Sequence, residues 1–328
     1  MKRRKKKEIM LHCILITLVF LTMLPFIFVI NNSMRSSSEL YHSFFGIPTA
    51  IKDIVRFTWY TLTGSDNRII LKVAPVDERG EEILDGKLEE KHLTYRDAMN
   101  RSWIQLTKGY RYGWQYLRGY MINTFLVCIV TVFGVVFIAS ISAYIFSRYR
   151  FPGHKILFLI ILSIMMIPGV LTLVPSFLLV KQLGLLNTYW VLILPYVAGG
   201  QILAIFLFKG FFDGLPEDLF ESARIDGAGH MRLYWHIVLP LSRPIIAVVA
   251  ILNTLGAWNN FLWPFITNTD ATYHVVASGL YLMSQSPAAS NPSTMYASYF
   301  LSSIPLLILF VFATKPFMQG VTSGAFKA

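Results

Sequence analysis

The side chains best suited to acid–base or metal chemistry cluster in one polar stretch near residue 85. Carboxylates beside an imidazole can transfer protons or bind divalent ions, but a solvated charged face is a simpler explanation of the same composition. A membrane enzyme or sensor acting through residues 31–119 would depend on this cluster. Its members are Glu81, Glu82, Asp85, Glu89, Glu90 and His92.

The sequence lacks the common catalytic motifs. It contains no HExxH pair, no GxxxxGK[ST] phosphate loop and no GxSxG elbow, which are typical of zinc peptidases, P-loop NTPases and α/β-hydrolases. Cys13 and Cys128 lie in apolar runs and provide neither a disulfide framework nor metal-ligand spacing. We therefore expect a non-catalytic chain with no cofactor or metal of its own.

A polar stripe lies within one of the apolar runs. Asn253, Ala257 and Asn260 fall at i, i+4 and i+7, which places them on one face of a continuous helix. Amides beside Trp258 and Trp263 suit a sugar, whose hydroxyl groups need donors and acceptors and whose ring faces stack on aromatics. Helix packing through asparagine is the alternative reading. The stripe is thus a candidate translocation path.

Residues 209–244, which we name the elbow, form a charged interval between two long apolar runs. Each charged side chain would cost roughly 2.5 to 3.5 kcal/mol at mid-membrane, so we expect the elbow to lie outside the lipid.

The elbow is predicted to contain two short amphipathic helices. The first is expected to begin at Pro216 and to end at Gly227 and Gly229, because glycine adopts left-handed dihedrals at little cost. The second is expected to begin near His230 and to stop at Pro240. Their apolar sides are predicted to be Leu215, Leu219 and Ala223 in the first helix, and Met231, Tyr234, Trp235 and Val238 in the second.

Composition identifies the environment of the chain. With 55% hydrophobic residues, 14% charged residues and a mean hydropathy of +0.54, the chain is too apolar for an ordinary soluble domain of 328 residues. The net charge of +11 comes from basic residues beside apolar runs, where they orient helices in a bilayer. We therefore predict a polytopic membrane protein and exclude nucleic acid as a partner.

Six membrane spans are predicted. The first is an uncleaved helix that follows the basic residues 2–7, and no Ala-x-Ala cleavage site follows it. Basic residues flank the elbow, whereas 267–295 has no Lys or Arg, which predicts that both termini and the elbow face the cytoplasm. The predicted spans are 9–30, 120–147, 156–180, 188–208, 241–266 and 296–314.

The interval 31–119 is too long for a simple turn, so we expect it to fold outside the membrane. A hairpin is predicted from Arg68–Ala74 and Glu82–Leu88. A helix capped by Thr94 is predicted to end at Gly109, and aromatic residues at 110–116 are typical of an interfacial belt. Further along the chain, breaks in the third and fourth spans are predicted at Pro168, Pro175, Pro195 and Gly199–Gly200.

The order of residues in the elbow resembles the EAA loop of permease subunits in binding-protein-dependent ABC importers. Ser222 departs from the usual alanine. The resemblance extends from Asn123 to the end of the chain. Within the family, the chain is similar to maltose-type carbohydrate permeases, although its large first external loop departs from them. The matching residues of the elbow are Glu221, Ala223, Asp226-Gly227-Ala228, Ile237, Leu239-Pro240 and Pro244, and further matching stretches are 143–153, 258–264 and 320–327.

The resemblance implies an all-α membrane protein with the six-helix type I ABC importer permease fold, located in a bacterial plasma membrane. It implies a second permease, ATPase subunits that hold ATP and magnesium, an external solute-binding protein and a sugar substrate. A non-sugar solute such as a peptide or phosphate is the nearer alternative. The resemblance assigns ATPase coupling to Glu221, Ser222, Ala223, Asp226, Gly227 and Ala228, an external scoop to Ser286, Pro287, Ala288 and Ala289, and a tail contact to Gly320, Thr322, Gly324 and Lys327.

Overall fold

The computed structural model describes residues 2–43, 45–63, 69–73, 89–93, 95–286 and 291–325. Two compact units share the chain: residues 1–118 with 280–304, and 119–279 with 305–328. The early elements are α1 (Lys2–Ser33), α2 (Ser37–His42), α3 (Thr49–Thr63), β1 (Ile69–Val73), β2 (Glu89–Leu93) and α4 (Tyr95–Arg148). The middle helices are α5 (His154–Ile164), α6 (Gly169–Gln182), α7 (Trp190–Asp213), α8 (Asp218–Ile225), α9 (His230–Leu233) and α10 (Leu239–Leu241), with a π-helical turn at Tyr234–Val238. The last are α11 (Arg243–Asn259), α12 (Leu262–Thr267), α13 (Val276–Ser284) and α14 (Pro292–Ala325), with a 3₁₀ turn at Ala271–Tyr273.

The membrane spans follow the apolar runs. Four helices of the described chain are long and apolar enough to cross a bilayer, and the number rises to six if each of two bent helix pairs is one span. The large apolar side chains of α1 between Ile9 and Ile27 are mostly exposed, as expected for a helix surrounded by lipid. The prediction of a first span at 9–30 agrees with this helix.

The third predicted span is a bent pair rather than one rod. The axes of α5 and α6 differ by 94°, and Pro168 is the N-cap of α6. The predicted break at Pro168 is therefore confirmed. Pro175 and Pro195 instead lie inside α6 and α7, so the predictions that they break the helices were wrong. Pro195 lacks the N–H that would reach Val191 O, and the indole N–H of Trp263 donates to that carbonyl at 2.8 Å instead.

Two glycines predicted to interrupt or end helices instead allow helices to approach closely. Gly200 lies inside α7, where a Cβ would be 2.4 Å from Asn253 Oδ1. Gly109 lies inside the 54-residue helix α4, where a Cβ would be 3.0 Å from Ser293 O and 3.2 Å from Ser33 O. The predicted helix end at Gly109 and the predicted break at Gly199–Gly200 were wrong, and Gly109 and Gly200 serve helix packing instead.

The fifth predicted span, 241–266, is interrupted. Helix α11 ends at Asn259, and Asn260 has extended backbone dihedrals (φ −74°, ψ 111°) before α12 begins. A bend of 74° also separates His230–Leu241 from α11. The prediction of one continuous helix was therefore wrong, and the periodicity of the polar stripe does not extend to Asn260.

A two-stranded antiparallel hairpin is present in the first unit. Strand β1 pairs with β2 in a register that places Ile69 opposite Leu93. The first strand agrees with the prediction, whereas the second lies at Glu89–Leu93 rather than at Glu82–Leu88. Thr94, residues 82–88 and three members of the acidic cluster (Glu81, Glu82 and Asp85) lie outside the described residues, and Glu89, Glu90 and His92 lie on β2.

The second unit has a hydrophobic core where α4, α7 and α11 meet the elbow. Side chains of the long helices form one continuous cluster with those of the short ones. Its buried members include Val135, Ala139, Tyr144, Phe208, Phe212, Phe220, Leu233, Tyr234, Val238, Ile245 and Val249. The elbow is thus part of the folded core and not a loose connection between spans.

Candidate functional site

The first half of the elbow is helix α8, which is held by one large side chain. Phe220 is fully buried, and Leu215 and Ala223 pack against the same core. Leu219, on the predicted apolar side, is 41% exposed and is not part of this core. The buried side of the helix contains Phe220 and Ala223, which are at i and i+3. The predicted apolar side followed i, i+4 spacing and therefore left out Phe220. The helix begins at Asp218, two residues after Pro216.

The end of α8 is a Schellman motif. The N–H of Gly227 donates to Arg224 O at 3.0 Å, and the N–H of Ala228 donates to Ala223 O at 2.9 Å. Gly227 has a φ of +77°, the left-handed conformation that this motif requires and that glycine adopts without strain. The predicted role of Gly227 is confirmed. Gly229 has ordinary extended dihedrals and is the N-cap of α9.

The second half of the elbow remains helical through a π turn. Leu233, Tyr234 and Val238 are buried. Met231 and Trp235, the other two residues of the predicted apolar side, are 72% and 46% exposed. Helix α10 continues past Pro240, because the N–H of Leu239 reaches Tyr234 O five residues back and a widened turn relieves the clash that proline causes in an α-helix.

Arg148, at the end of α4, anchors the first half of the elbow. Its side chain is 7% exposed, and its Nη2 donates to Phe212 O at 2.7 Å and to Leu215 O at 3.2 Å. Its Nη1 donates to the Glu217 carboxylate, and its guanidinium carbon lies 3.9 Å from the centre of the Phe220 ring. This role was not predicted from the sequence, because the partners of Arg148 lie more than sixty residues away along the chain.

Further polar contacts join the long helices to the elbow. Ser147 Oγ donates to Asp213 Oδ1 at 2.7 Å, and Lys209 Nζ donates to Asp213 Oδ2 at 2.6 Å. The Tyr144 hydroxyl lies 3.2 Å from His230 Nδ1. Both halves of the elbow are therefore tied to α4 or α7 by side chains as well as by the apolar core.

The outer face of the elbow is exposed and mixed in character. Glu221, Ser222, Asp226 and Gly227 are exposed, whereas Ala223 and Ala228 are half-buried and pack on the core. Exposed apolar side chains also occur along the elbow, among them Leu219, Ile225 (87% exposed) and Met231. We call these three residues the elbow tips. The residues assigned to coupling thus divide into an outer set and an inner set.

The polar stripe has a different geometry. Asn253 Nδ2 donates to Val249 O on its own helix at 2.9 Å, and Asn260 Oδ1 accepts from Trp263 N at 3.3 Å, as a cap of α12. Ala257 is buried. Neither of these two contacts crosses to a neighbouring helix, and the break in the helix separates Asn260 from the other two residues.

An apolar groove of about 600 Å³ lies beside the stripe, between α4, α11 and α14. Trp258 and Phe125 line it, and among its described lining residues Thr254 is the one with a hydroxyl. Such a lining does not match the many hydroxyl groups of a sugar. Buried oxygen atoms without a hydrogen-bond partner among the described residues lie instead at Thr131, Tyr196, Gln201 and Asn268, none of which was selected from the sequence.

The predicted scoop and tail are described only in part. Ser286 follows α13, and its Oγ donates to Met283 O at 2.8 Å; Pro287, Ala288 and Ala289 lie outside the described residues. Gly320, Thr322 and Gly324 lie within α14, so the tail continues the last helix as far as Ala325. Lys327 lies outside the described residues.

Comparisons with known proteins agree with this architecture. The chain is 36% identical over 214 residues to the galactooligosaccharides transport system permease protein GanQ of Bacillus subtilis, covering 65% of this chain and 75% of that protein. It is 36% identical over 221 residues to the maltodextrin transport system permease protein MalD of Streptococcus pneumoniae, covering 66% and 75%.

A solved structure has the same fold. A bacterial ABC transporter involved in the import of the acidic polysaccharide alginate matches 94% of this chain and 95% of its own, with a TM-score of 0.60 and 17% identity. Residues 135–323, which include the whole elbow, match the family described as binding-protein-dependent transport system inner membrane component. The chain belongs to this family of ABC importer permeases.

Proposed function

We propose that this chain is a permease subunit of an ATP-driven carbohydrate importer, in which it forms half of the translocation pathway and transmits the motion of an ATPase subunit. The observation that supports the proposal most strongly is the elbow. Its inner side packs against α4, α7 and α11, whereas its outer side is exposed. A force applied to the outer side would therefore reach three long helices directly.

The elbow tips suit a cleft in the ATPase subunit. Leu219, Ile225 and Met231 are exposed apolar side chains, and the exposed Glu221 and Asp226 lie close to them in the sequence. An apolar centre with a polar rim is the usual anatomy of a protein interface. ATP and magnesium would be held by the ATPase, and this chain would carry no cofactor.

The complete importer would include a second permease and an external solute-binding protein. ATP-driven closure of the ATPases and docking of the binding protein would favour the same outward-facing state, which is a two-state coupling. Both termini and the elbow would face the cytoplasm. Residues Ser286–Ala289 would reach the binding protein, and the end of α14 would reach the ATPase.

Carbohydrate is the proposed solute because the related permeases named above are those of galactooligosaccharide and maltodextrin systems. We assign the buried oxygen atoms of Thr131, Tyr196 and Gln201 to the path, because no described residue pairs with them. They have no exposed surface in this structure, so a solute would reach them only in another state of the importer. The apolar groove beside Trp258 is not part of this proposed path. A non-sugar solute remains the alternative within the same family.

The coupling proposal is tested with Ile225→Glu and Glu221→Lys in the assembled importer. Placing a charge at a fully desolvated interface position costs more than about 1.4 kcal/mol, which corresponds to about tenfold in affinity. We expect both variants to insert in the membrane, to retain less ATPase on co-purification and to lose uptake. Ile104→Glu is the matched control, because Ile104 is also exposed but lies in the other unit.

The same reconstituted importer tests the solute. We expect oligosaccharides, presented by the binding protein, to stimulate ATP hydrolysis, whereas a peptide or a phosphorylated polyol does not. Full ATPase retention and full uptake by both elbow variants would contradict the coupling role. Stimulation by the peptide or the phosphorylated polyol alone would contradict the carbohydrate assignment and leave the coupling role intact.

A further inference from the structure

Helix α3 has two apolar faces, and only one of them is packed. Ala50 and Phe57 are fully buried against the first unit. Val55, Trp59 and Leu62, at i, i+4 and i+7, are 65%, 65% and 80% exposed. We call these three residues the α3 stripe. A helix that is already packed by one face gains nothing for its own fold from a second apolar face, so the stripe requires an external environment.

The structure places the start of α3 near the end of the first membrane span. The Phe45 ring lies 5.7 Å from the Phe28 ring, and Asn31 Nδ2 donates to Gly46 O at 2.8 Å. Phe28 and Asn31 lie where the apolar run of α1 ends. The segment leading into α3 therefore returns to the level at which α1 leaves the hydrocarbon.

A carboxylate fixes the first turn of α3 in this position. Glu39 Oε2 accepts from the N–H of Thr49 at 3.1 Å, and Gln105 Nε2 donates to Glu39 Oε1 at 3.0 Å. A carboxylate at a helix N-terminus satisfies a free backbone N–H and complements the helix dipole. The helix is thus tied to both α1 and α4 within the same unit.

The charges of α3 distinguish a lipid surface from a protein partner. Lys52 and Arg56 are exposed beside the stripe, and the Arg56 guanidinium carbon lies 5.4 Å from the centre of the Tyr60 ring. Asp53 is half-buried, and burial raises the pKa of its carboxyl. Lysine is depleted at protein interfaces, whereas tryptophan with flanking lysine and arginine is typical of helices in the headgroup region.

We propose that α3 lies in the headgroup region of the bilayer, with the α3 stripe against the acyl chains and with Lys52 and Arg56 on the phosphates of anionic lipids. A second element of the same unit agrees with this depth. The Tyr110 hydroxyl bonds Ser33 Oγ at the end of α1, and the nearby Tyr112 and Trp114 are each 51% exposed. The proposal concerns lipid contact and is independent of the transported solute.

Site-directed spin labelling in the assembled importer tests the proposal. Single cysteines at positions 55, 59 and 62 would be labelled in a Cys13→Ala, Cys128→Ala background, in nanodiscs of phosphatidylethanolamine and phosphatidylglycerol. We expect these labels to collide more with oxygen, which partitions into lipid, than with a water-soluble nickel chelate. A label at the exposed residue Thr58, which precedes Trp59 and lies off the stripe, is the matched control and should show a lower ratio of oxygen to nickel accessibility.

Further experiments distinguish anionic lipid from a protein partner at the α3 stripe. Replacing phosphatidylglycerol with phosphatidylcholine, or introducing Lys52→Gln with Arg56→Gln, should lower the oxygen-to-nickel ratio at position 59 if anionic lipid is bound. High nickel accessibility that falls only when the binding protein is added would show a soluble partner. Low accessibility to both reagents would show a protein neighbour in the complex. Either of these last two results would overturn the proposal.

Fluorescence tests the same depth with both native cysteines in place. The difference in emission between the unmodified chain and Trp59→Phe isolates the signal of one tryptophan. We expect brominated acyl chains to quench this difference signal and a water-soluble quencher to leave it almost unchanged. Quenching by the water-soluble reagent alone would contradict the lipid assignment.

Discussion

The elbow and the polar stripe of α11 use polar side chains in opposite ways. In the elbow, backbone hydrogen bonds close α8, and buried Arg148 fixes its base, so Glu221, Ser222 and Asp226 remain exposed. In the stripe, Asn253 and Asn260 bond to backbone atoms of their own segment. Water satisfies polar groups outside the bilayer, whereas inside it each polar group needs a protein partner. Of these two regions, as far as the structure describes them, the elbow is therefore the one that leaves polar side chains exposed to a partner protein.

The largest effect on ATPase attachment and uptake is expected when Arg148, which anchors the elbow, is replaced. Arg148→Met leaves the carbonyls of Phe212 and Leu215 without their charged donor, at a cost of about 2 to 4 kcal/mol. We expect the spans to insert normally, ATPase co-purification to fall to background and uptake to be lost. Arg150→Met is the matched control, because Arg150 is exposed two residues later. Normal coupling in Arg148→Met would show that the elbow holds its position without this anchor.

A smaller effect is expected at the turn of the elbow. Gly227→Val forces a β-branched residue to a φ of +77°, at a cost of about 1 to 2 kcal/mol, and should weaken ATPase attachment and uptake. Gly229→Val is the control, since Gly229 has ordinary dihedrals and both glycines have open space around a Cβ. Equal behaviour of the two variants in ATPase co-purification would show that the left-handed turn is unimportant.

The smallest effect on uptake is expected in the polar stripe, and a large effect there would contradict the contrast between the stripe and the elbow. Asn260→Leu removes the cap of α12, which costs about 1 kcal/mol, whereas Asn260→Asp keeps an acceptor oxygen. We expect a small loss of thermal stability in nanodiscs for the first variant, no loss for the second and nearly normal uptake for both. If Asn260→Leu abolishes uptake without changing stability, the stripe contacts solute and resembles the elbow in serving a partner.

Sequence alone predicted features that depend on local order. The membrane environment, the positive φ of Gly227 and the break at Pro168 each follow from neighbouring residues. Features that depend on distant contacts were missed or misplaced. The anchoring role of Arg148 was missed because its partners lie near residue 215. Gly109 was predicted to end a helix because its close neighbours, Ser33 and Ser293, are distant in the sequence.

Errors within the elbow and the stripe arose from helical phase. Phe220 was overlooked because an eight-residue helix shows too few turns to define its buried side by periodicity. Asn260 was assigned to a helix face, although its side chain caps the next helix. In both places, a displacement of one or two residues decides which side chains a partner meets.

Because of the π-helical turn at Tyr234–Val238, the number of residues in the second half of the elbow determines which way the preceding side chains face. Leu233 and Val238 are both buried although they are five residues apart, a separation that a π turn brings to one side and an α-helix does not. One residue fewer here would rotate the preceding chain by about 100° relative to α11. The direction in which Ile225 and Met231 face thus depends on chain length in this turn, and a single-residue deletion would redirect the elbow tips without changing their chemistry.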